Sequence, residues 1–203
     1  MKRTILVLVL VALLVPAGLF AGVFDLSLGV MAQNKLAYDV SSGEFDPEMF
    51  TDVENYALGA DIRTRILFAE IDVAALYEQV GETPAFSGLV TGGLSLDLLG
   101  LVRIGLGLGP RVTATFPADG EPEFVDASGT SLTAENVLDA FMTSDLTWRA
   151  TADVKLGNLL VGLNYMVDSN GFTIENSDFN KLMPTADLFK QGRIGASVLF
   201  TIF

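Results

Sequence analysis

Between Leu94 and Thr113 apolar and polar positions alternate with a period of two. Leu94, Leu96 and Leu98 fall on one side, with Ser95 and Asp97 on the other. After Leu99, Gly100 and Leu101 the alternation resumes. Val102, Ile104, Leu106, Leu108, Pro110 and Val112 share one side; Arg103, Gly105, Gly107, Gly109, Arg111 and Thr113 share the other. Two alternating strands joined by so short a connection predict a β-hairpin. Its polar face carries charge. Its apolar face is long and unbroken, and needs a larger hydrophobic surface to lie against.

The same alternation recurs in eight segments, each with one apolar side. The first is Val23 to Gln33, with Phe24, Leu26, Leu28 and Val30. The second is Asn55 to Ile66, with Tyr56, Leu58, Ala60, Ile62 and Ile66. The third is Ala69 to Gln79, with Ala69, Ile71, Val73, Ala75 and Tyr77. The hairpin supplies the fourth, starting near Gly88, and the fifth. The sixth is Asp145 to Leu156, with Leu146, Trp148, Ala150, Ala152, Val154 and Leu156. The seventh is Leu159 to Val167, with Leu159, Val161, Leu163, Tyr165 and Val167. The eighth is Gln191 to Ile202, with Ile194, Ala196, Val198, Phe200 and Ile202. Each is close to the roughly 9 to 11 residues that a tilted strand needs to cross a bilayer.

The connections alternate in length. Leu67-Phe68, Leu99-Gly100-Leu101 and Gly157-Asn158 are short. Lys35 to Glu54, Val80 to Ser87, Phe116 to Ser144 and Asp168 to Lys190 are longer. Short turns at one end and larger loops at the other are the asymmetry of outer-membrane barrels. An even number of strands lets the first and last close antiparallel, with no sheet edge left in lipid. The expected fold is therefore an all-β, eight-stranded antiparallel up-and-down transmembrane β-barrel, with outer-membrane lipid against its apolar face.

Targeting and charge sharpen this. Met1 to Ala21 has the layout of a signal peptide: Lys2 and Arg3, an apolar run from Ile5 to Val15, helix breakers at Pro16 and Gly18, and a cut after Ala21. The alternative is an uncleaved membrane anchor. The expected division is residues 1–21 as signal and 22–203 as barrel. The net charge is −13 over 203 residues. Removing Lys2 and Arg3 leaves 10 basic against 25 acidic residues, or −15. Such a balance argues against nucleic acid as a partner. Without Cys there is no disulfide framework or lipoprotein anchor, and without His the commonest general base and metal ligand are missing. No cofactor and no catalytic or metal site is expected.

Seven of the ten mature basic residues fall on the polar faces: Arg63, Arg65, Arg103, Arg111, Arg149, Lys155 and Arg193. Seven acids share those faces: Asp25, Asp61, Glu70, Asp72, Glu78, Asp97 and Asp153. The two-residue turn at Leu67-Phe68 puts Arg65 opposite Glu70 and Arg63 opposite Asp72. The turn centred on Gly100 puts Asp97 opposite Arg103. Opposite charges across a ladder attract, and a barrel of eight strands has room for side chains and little more. The expectation is a lumen plugged by ion pairs among Arg63, Asp72, Arg65, Glu70, Asp97, Arg103, Arg111, Arg149 and Asp153. Inward glycines at 29, 59, 105, 107, 109, 162 and 195 would make space for the arginines. Tyr56, Tyr77, Trp148 and Tyr165 lie on the apolar side at strand ends next to the longer connections, where an external aromatic girdle belongs.

On these features the chain resembles the small eight-stranded outer-membrane barrels of the OmpA, OmpX and OmpW type, without a periplasmic OmpA-like domain. The resemblance implies a bacterial outer-membrane location. It also implies recognition by the barrel-insertion machinery through the terminal Phe203. In one respect the pattern departs. Positions alternating back from Phe203 are Thr201, Leu199, Ser197, Gly195 and Arg193, whereas the apolar set runs from Ile202 to Ile194. Either the strand shifts phase at its last residue or the signal is modified.

The loops are acidic, with Asp39, Glu44, Asp46, Glu48, Asp52 and Glu54 in the first and Asp119, Glu121, Glu123 and Asp126 in the third. No calcium-loop spacing is present, so a solvated surface is the simpler reading. The loops are also rich in Phe. These rings either pack on each other or, as the OmpW resemblance implies, form an apolar entry for small hydrophobic molecules at Phe116, Phe124 and Phe141. Thr133 to Met142 carries a short helical pattern. GLGLGP at Gly105 to Pro110 lies inside a strand pattern and opens no helix, which excludes a phosphate loop. The outer-membrane acyltransferases and deacylases use a catalytic His, so the reading is not an enzyme. A structural or surface-interaction barrel with a closed lumen comes first. An OmpW-like channel and a soluble periplasmic ligand-binding barrel are the alternatives, with extracellular partners at the loops.

Overall fold

Strands with one apolar and one polar face close most economically into a cylinder that sends each face to its own medium. A computed structural model describes residues 23–35, 38–39, 44–45, 50–51, 55–80, 83–125, 131–132 and 136–203. The signal-peptide assignment therefore lies outside the described residues.

The strands are β1 (Phe24–Lys35), β2 (Tyr38–Asp39), β3 (Glu44–Phe45), β4 (Tyr56–Ile66), β5 (Ala69–Val80), β6 (Thr83–Leu98), β7 (Val102–Thr115), β8 (Glu123–Val125), β9 (Asp145–Leu156), β10 (Leu159–Thr173) and β11 (Arg193–Thr201). Two short helices, α1 (Val137–Thr143) and α2 (Ala186–Lys190), and a 3₁₀ turn at Phe179–Lys181 belong to the loops. Eight strands form a closed antiparallel barrel in the cyclic order β1-β4-β5-β6-β7-β9-β10-β11. Closure is made by β1 against β11, from Ser27 opposite Thr201 to Lys35 opposite Arg193. The start of β1, the end of β11 and the three short turns share one end.

The sixth segment has the expected bounds. The second and eighth are shorter, at Tyr56–Ile66 and Arg193–Thr201, and the others run longer. The fourth begins at Thr83, five residues before Gly88, and its ladder with β5 runs without irregularity from Ala69 opposite Leu94 to Val80 opposite Thr83. Only residues 81 and 82 separate β5 from β6. The expected loop from Val80 to Ser87 is therefore a hairpin tip, and the larger loops are three. Pro84 has no N–H to give to a ladder. Its carbonyl nevertheless accepts from Phe116 N–H at 3.0 Å, and Ala85, Phe86 and Ser87 keep the alternation. The seventh segment continues to Thr173, with a register shift after Asp168.

The inward glycines do not make room for arginine. A Cβ on Gly29 would run into the Val198 carbonyl, and one on Gly59 into the Ala75 carbonyl. Neighbouring strands approach there more closely than any other residue allows, which lets so small a barrel bend. Gly59→Val should destabilise the barrel by about 1–3 kcal/mol through overpacking. The expected readout is a lower urea midpoint for loss of the compact form in detergent; an unchanged midpoint would show that the wall yields.

Candidate functional site: the charged lumen and the aromatic rim

Inward positions carry the charges. At the turn end, Asp25 of β1, Arg65 of β4, Asp97 of β6, Arg103 of β7 and Lys155 of β9 meet. Arg103 donates through Nε to Asp97 at 2.9 Å and through Nη2 to Asp25 at 2.5 Å. Asp97 also accepts from Arg65 at 3.0 Å and Lys155 at 2.7 Å. One carboxylate thus gathers cations from three other strands.

A second group fills the middle. Oδ2 of Asp61 accepts from Arg63 at 3.0 Å and from Arg149 at 2.6 Å. Arg63 reaches across to Asp153 at 2.6 Å and to the Ser197 hydroxyl at 2.8 Å. Arg149 approaches Asp72 at 3.7 Å. Arg63, Arg103 and Arg149 are each 1 % exposed. Charges this deep persist only when paired and hydrogen-bonded.

Along β5 the inward residues run Glu70, Asp72, Ala74, Leu76, Glu78, so an apolar step follows the central charges. Met31, Ala57, Ala74, Leu76, Leu89 and Met166 pack there as one buried cluster. Toward the loop end charge returns. Arg193 meets Glu78 at 2.5 Å, Ser87 donates to the same carboxylate, and Asp168 accepts from Arg111 at 3.3 Å and Thr147 at 2.6 Å. The lumen is stacked ionic, apolar, ionic.

The ladder places Arg63 opposite Asp72, Arg65 opposite Glu70 and Asp97 opposite Arg103. Only the last of these three contacts forms. Arg63 turns to Asp61 and Asp153, and Arg65 to Asp97 and Asp25. Glu70 is buried and makes no ion pair among the described residues. The reason is reach: the long stem of Arg63 lets its fork divide between Asp61 on its own strand and Asp153 on the far wall, and Arg65 passes β5 to meet Asp97 of β6. Asp61, Asp25, Glu78, Arg193 and Asp168 are partners that pairing across turns could not find. The apolar layer was also missed; the inward apolar positions of β5 and β6 are its sequence signal.

The outward positions are apolar from turn end to rim: Leu94, Leu96, Ile104, Leu106, Val154, Leu163 and Val198 are all exposed. Tyr56, Tyr77, Trp148 and Tyr165 share that outward phase near the loops. Tyr56 donates to the Phe50 carbonyl at 2.9 Å, Trp148 to the Leu182 carbonyl at 2.9 Å, and Tyr165 to the Phe189 carbonyl. Phe116, Phe124 and Phe141 do not converge on the mouth. Phe116 stacks edge-on against outward Phe86, with centroids 5.9 Å apart. Phe124 pairs with outward Ala114, and Phe141 abuts outward Gly88. They line the outside of the wall, because β8 extends the sheet beside β7 and α1 folds back outside it. At the other end β11 stops at Thr201. The Phe203 ring then lies 6.3 Å from that of outward-facing Phe24, so the phase does shift at the last residues.

Ionic inside and apolar outside is the reverse of a water-soluble barrel and defines a membrane-type eight-stranded β-barrel. No protein-family model matches the chain, and no curated protein matches it. Among solved structures it is similar to Ail, the attachment invasion locus protein of Yersinia pestis. The identity is 13 % and the TM-score 0.45, with 89 % of this chain and 96 % of that one covered. It is also similar to Neisserial surface protein A, NspA, at 12 % identity and a TM-score of 0.41, with 88 % and 94 % covered. The class is carried by the wall and the lumen.

Asp61→Ala would leave two buried guanidiniums short of a partner, and should destabilise the barrel by about 3–5 kcal/mol. Lys155→Met, at the more open turn end, should cost less than about 1 kcal/mol. Urea titration of both variants in one detergent checks the order; equal losses would contradict a central role for Asp61.

Proposed function

We propose that this chain is an integral β-barrel of the bacterial outer membrane with a sealed lumen, exported by its N-terminal segment and acting through its external loops in a structural or surface-interaction role. The observation that carries this is the inversion of polarity: fully buried arginines within, exposed leucine, isoleucine and valine without. A soluble ligand-binding barrel would have to leave that whole wall in water, far more apolar area than soluble surfaces keep. No described helix is long and apolar enough to cross a membrane.

Outer-membrane lipid is the first partner in this reading. The insertion machinery is the second, through Phe203, whose ring is presented beside Phe24 on the outer side of the turn end. The stacked lumen leaves the loops as the place for extracellular partners, and no catalytic step is part of the reading. Purified protein in planar bilayers should show no steady conductance; channels that persist would overturn the sealed lumen. Leu106→Arg, near the middle of the wall, should block assembly or destabilise the barrel by about 2–4 kcal/mol. Comparing the gel mobility of boiled and unboiled detergent samples tests this. Normal assembly of the variant, or release of the native chain by carbonate without detergent, would favour the soluble barrel.

A further inference from the structure

Near the loop end the outer wall is not bare. Val112 and Leu146 belong to the outward phase of β7 and β9, yet they are only 4 % and 7 % exposed. Leu106, on the same face of β7, is 53 % exposed. The cover is α1. It packs on β7, its Ala140 is fully buried, and the ring of Phe141 would lie 3.3 Å from a Cβ on Gly88. Gly88 is paired with Val112, one outward position nearer the middle of the barrel than Phe86. The helix therefore does not stand up from the mouth. It turns back and lies against the outside of the wall.

The fourth loop is tied to the same surface. Glu175 N–H donates to the Met142 carbonyl at 3.2 Å, joining it to the end of α1. Trp148 and Tyr165, both outward, hold the carbonyls of Leu182 and Phe189. Together these segments make a partial collar outside the barrel. The helix ends are closed locally. Asn136 accepts from Asp139 N–H at 3.1 Å, and Ser144 N–H returns to the Ala140 carbonyl at 2.9 Å. The face of α1 turned away from the wall carries Val137, Leu138 and Met142, all exposed, with Leu138 at 73 %.

We propose that this collar lies in the outer leaflet and that lipid acyl chains cover the exposed face of α1. The inference rests on the membrane-barrel reading above. Its support is continuity. Phe116 stands in an edge-on series with Phe86 and Tyr77, at 5.9 and 5.2 Å, and these are outward residues of the wall itself. The apolar surface of the strands thus runs into the surface of the collar. Amphipathic segments lie in membranes in this way, with the apolar face sunk about 5–10 Å into the headgroup and acyl boundary. In water the same side chains would form an exposed patch continuous with the wall.

The chain has no cysteine, so single cysteines give clean labelling sites. Leu138→Cys, Leu106→Cys and Asp119→Cys would each carry a nitroxide label on protein folded into phosphatidylcholine vesicles, with folding checked by gel mobility. Accessibility to oxygen, which concentrates in lipid, is compared with accessibility to a water-soluble nickel chelate. Position 106 should favour oxygen and position 119 nickel. Position 138 should favour oxygen over nickel several-fold more than position 119 does. Nickel preference at 138 with oxygen preference at 106 would overturn the collar and leave the barrel reading intact. Nickel preference at 106 would remove the barrel reading as well. Shielding of 138 from both reagents would mean that a second copy of the chain covers α1, and would also overturn the inference.

Discussion

A guanidinium cannot be carried into a low-dielectric interior alone, and this barrel carries several. Removing such a charge from water costs several kcal/mol even after relaxation, so each arginine must meet carboxylates at close range. Apart from Asp61, which Arg63 meets on its own strand, those carboxylates come from other strands. Arg63 of β4 meets Asp153 of β9, Arg149 of β9 meets Asp61 of β4, and Arg103 of β7 meets Asp25 of β1. Backbone ladders hold each strand to its neighbours, while these pairs hold opposite sides of the cylinder together. The same contacts that neutralise the interior also fill it. With a side-chain period of two, a polar interior commits every alternate residue to the outside. The apolar wall and the charged lumen are two consequences of one phase.

That phase is what makes so much of the fold legible in the sequence. Segments such as Asp145–Leu156 alternate cleanly, and both faces can be assigned by counting. Strand ends are harder to place, because a ladder that continues past the membrane no longer needs strict alternation. β6 runs on through Pro84, and β10 runs past Asp168 with a shift of register. The inward apolar layer was hidden for a related reason. Leu76, Leu89 and Met166 occupy positions that a simple polar-inside rule treats as exceptions, yet they meet each other across the lumen and form a layer of their own.

Ion-pair partners mark the limit of counting. Hairpin arithmetic yields the residue opposite, and here it placed Arg63 with Asp72 and Arg65 with Glu70 in the ladder. Contact is decided by the length of the side chain against the width of the cylinder. A guanidinium at the end of a long stem reaches past its ladder neighbour: Arg63 meets Asp153 and Arg149 meets Asp61 on the opposite wall, and Arg65 meets Asp97 two strands away. Those acids were visible as inward residues, but which of them meets which base depends on the stagger of strands that are not adjacent. The loops resist reading for another reason. Their phenylalanines signal that something packs, without saying on which side of the wall.

The rim joins these threads. Tyrosine and tryptophan at a membrane boundary pair an apolar ring with one polar atom that needs a partner. Trp148, Tyr56 and Tyr165 give that atom to loop carbonyls. Three strand residues thereby fix segments that the hydrophobic pattern alone leaves free, and they do so from the outer side of the barrel. The placement of those segments then follows from the same outward phase that sets the wall. A one-residue slip in β9 or β10 would turn Trp148 or Tyr165 into the lumen, expel a buried charge, and release the loop backbone together. The position of these loop segments is thus tied to the register of the strands beneath them.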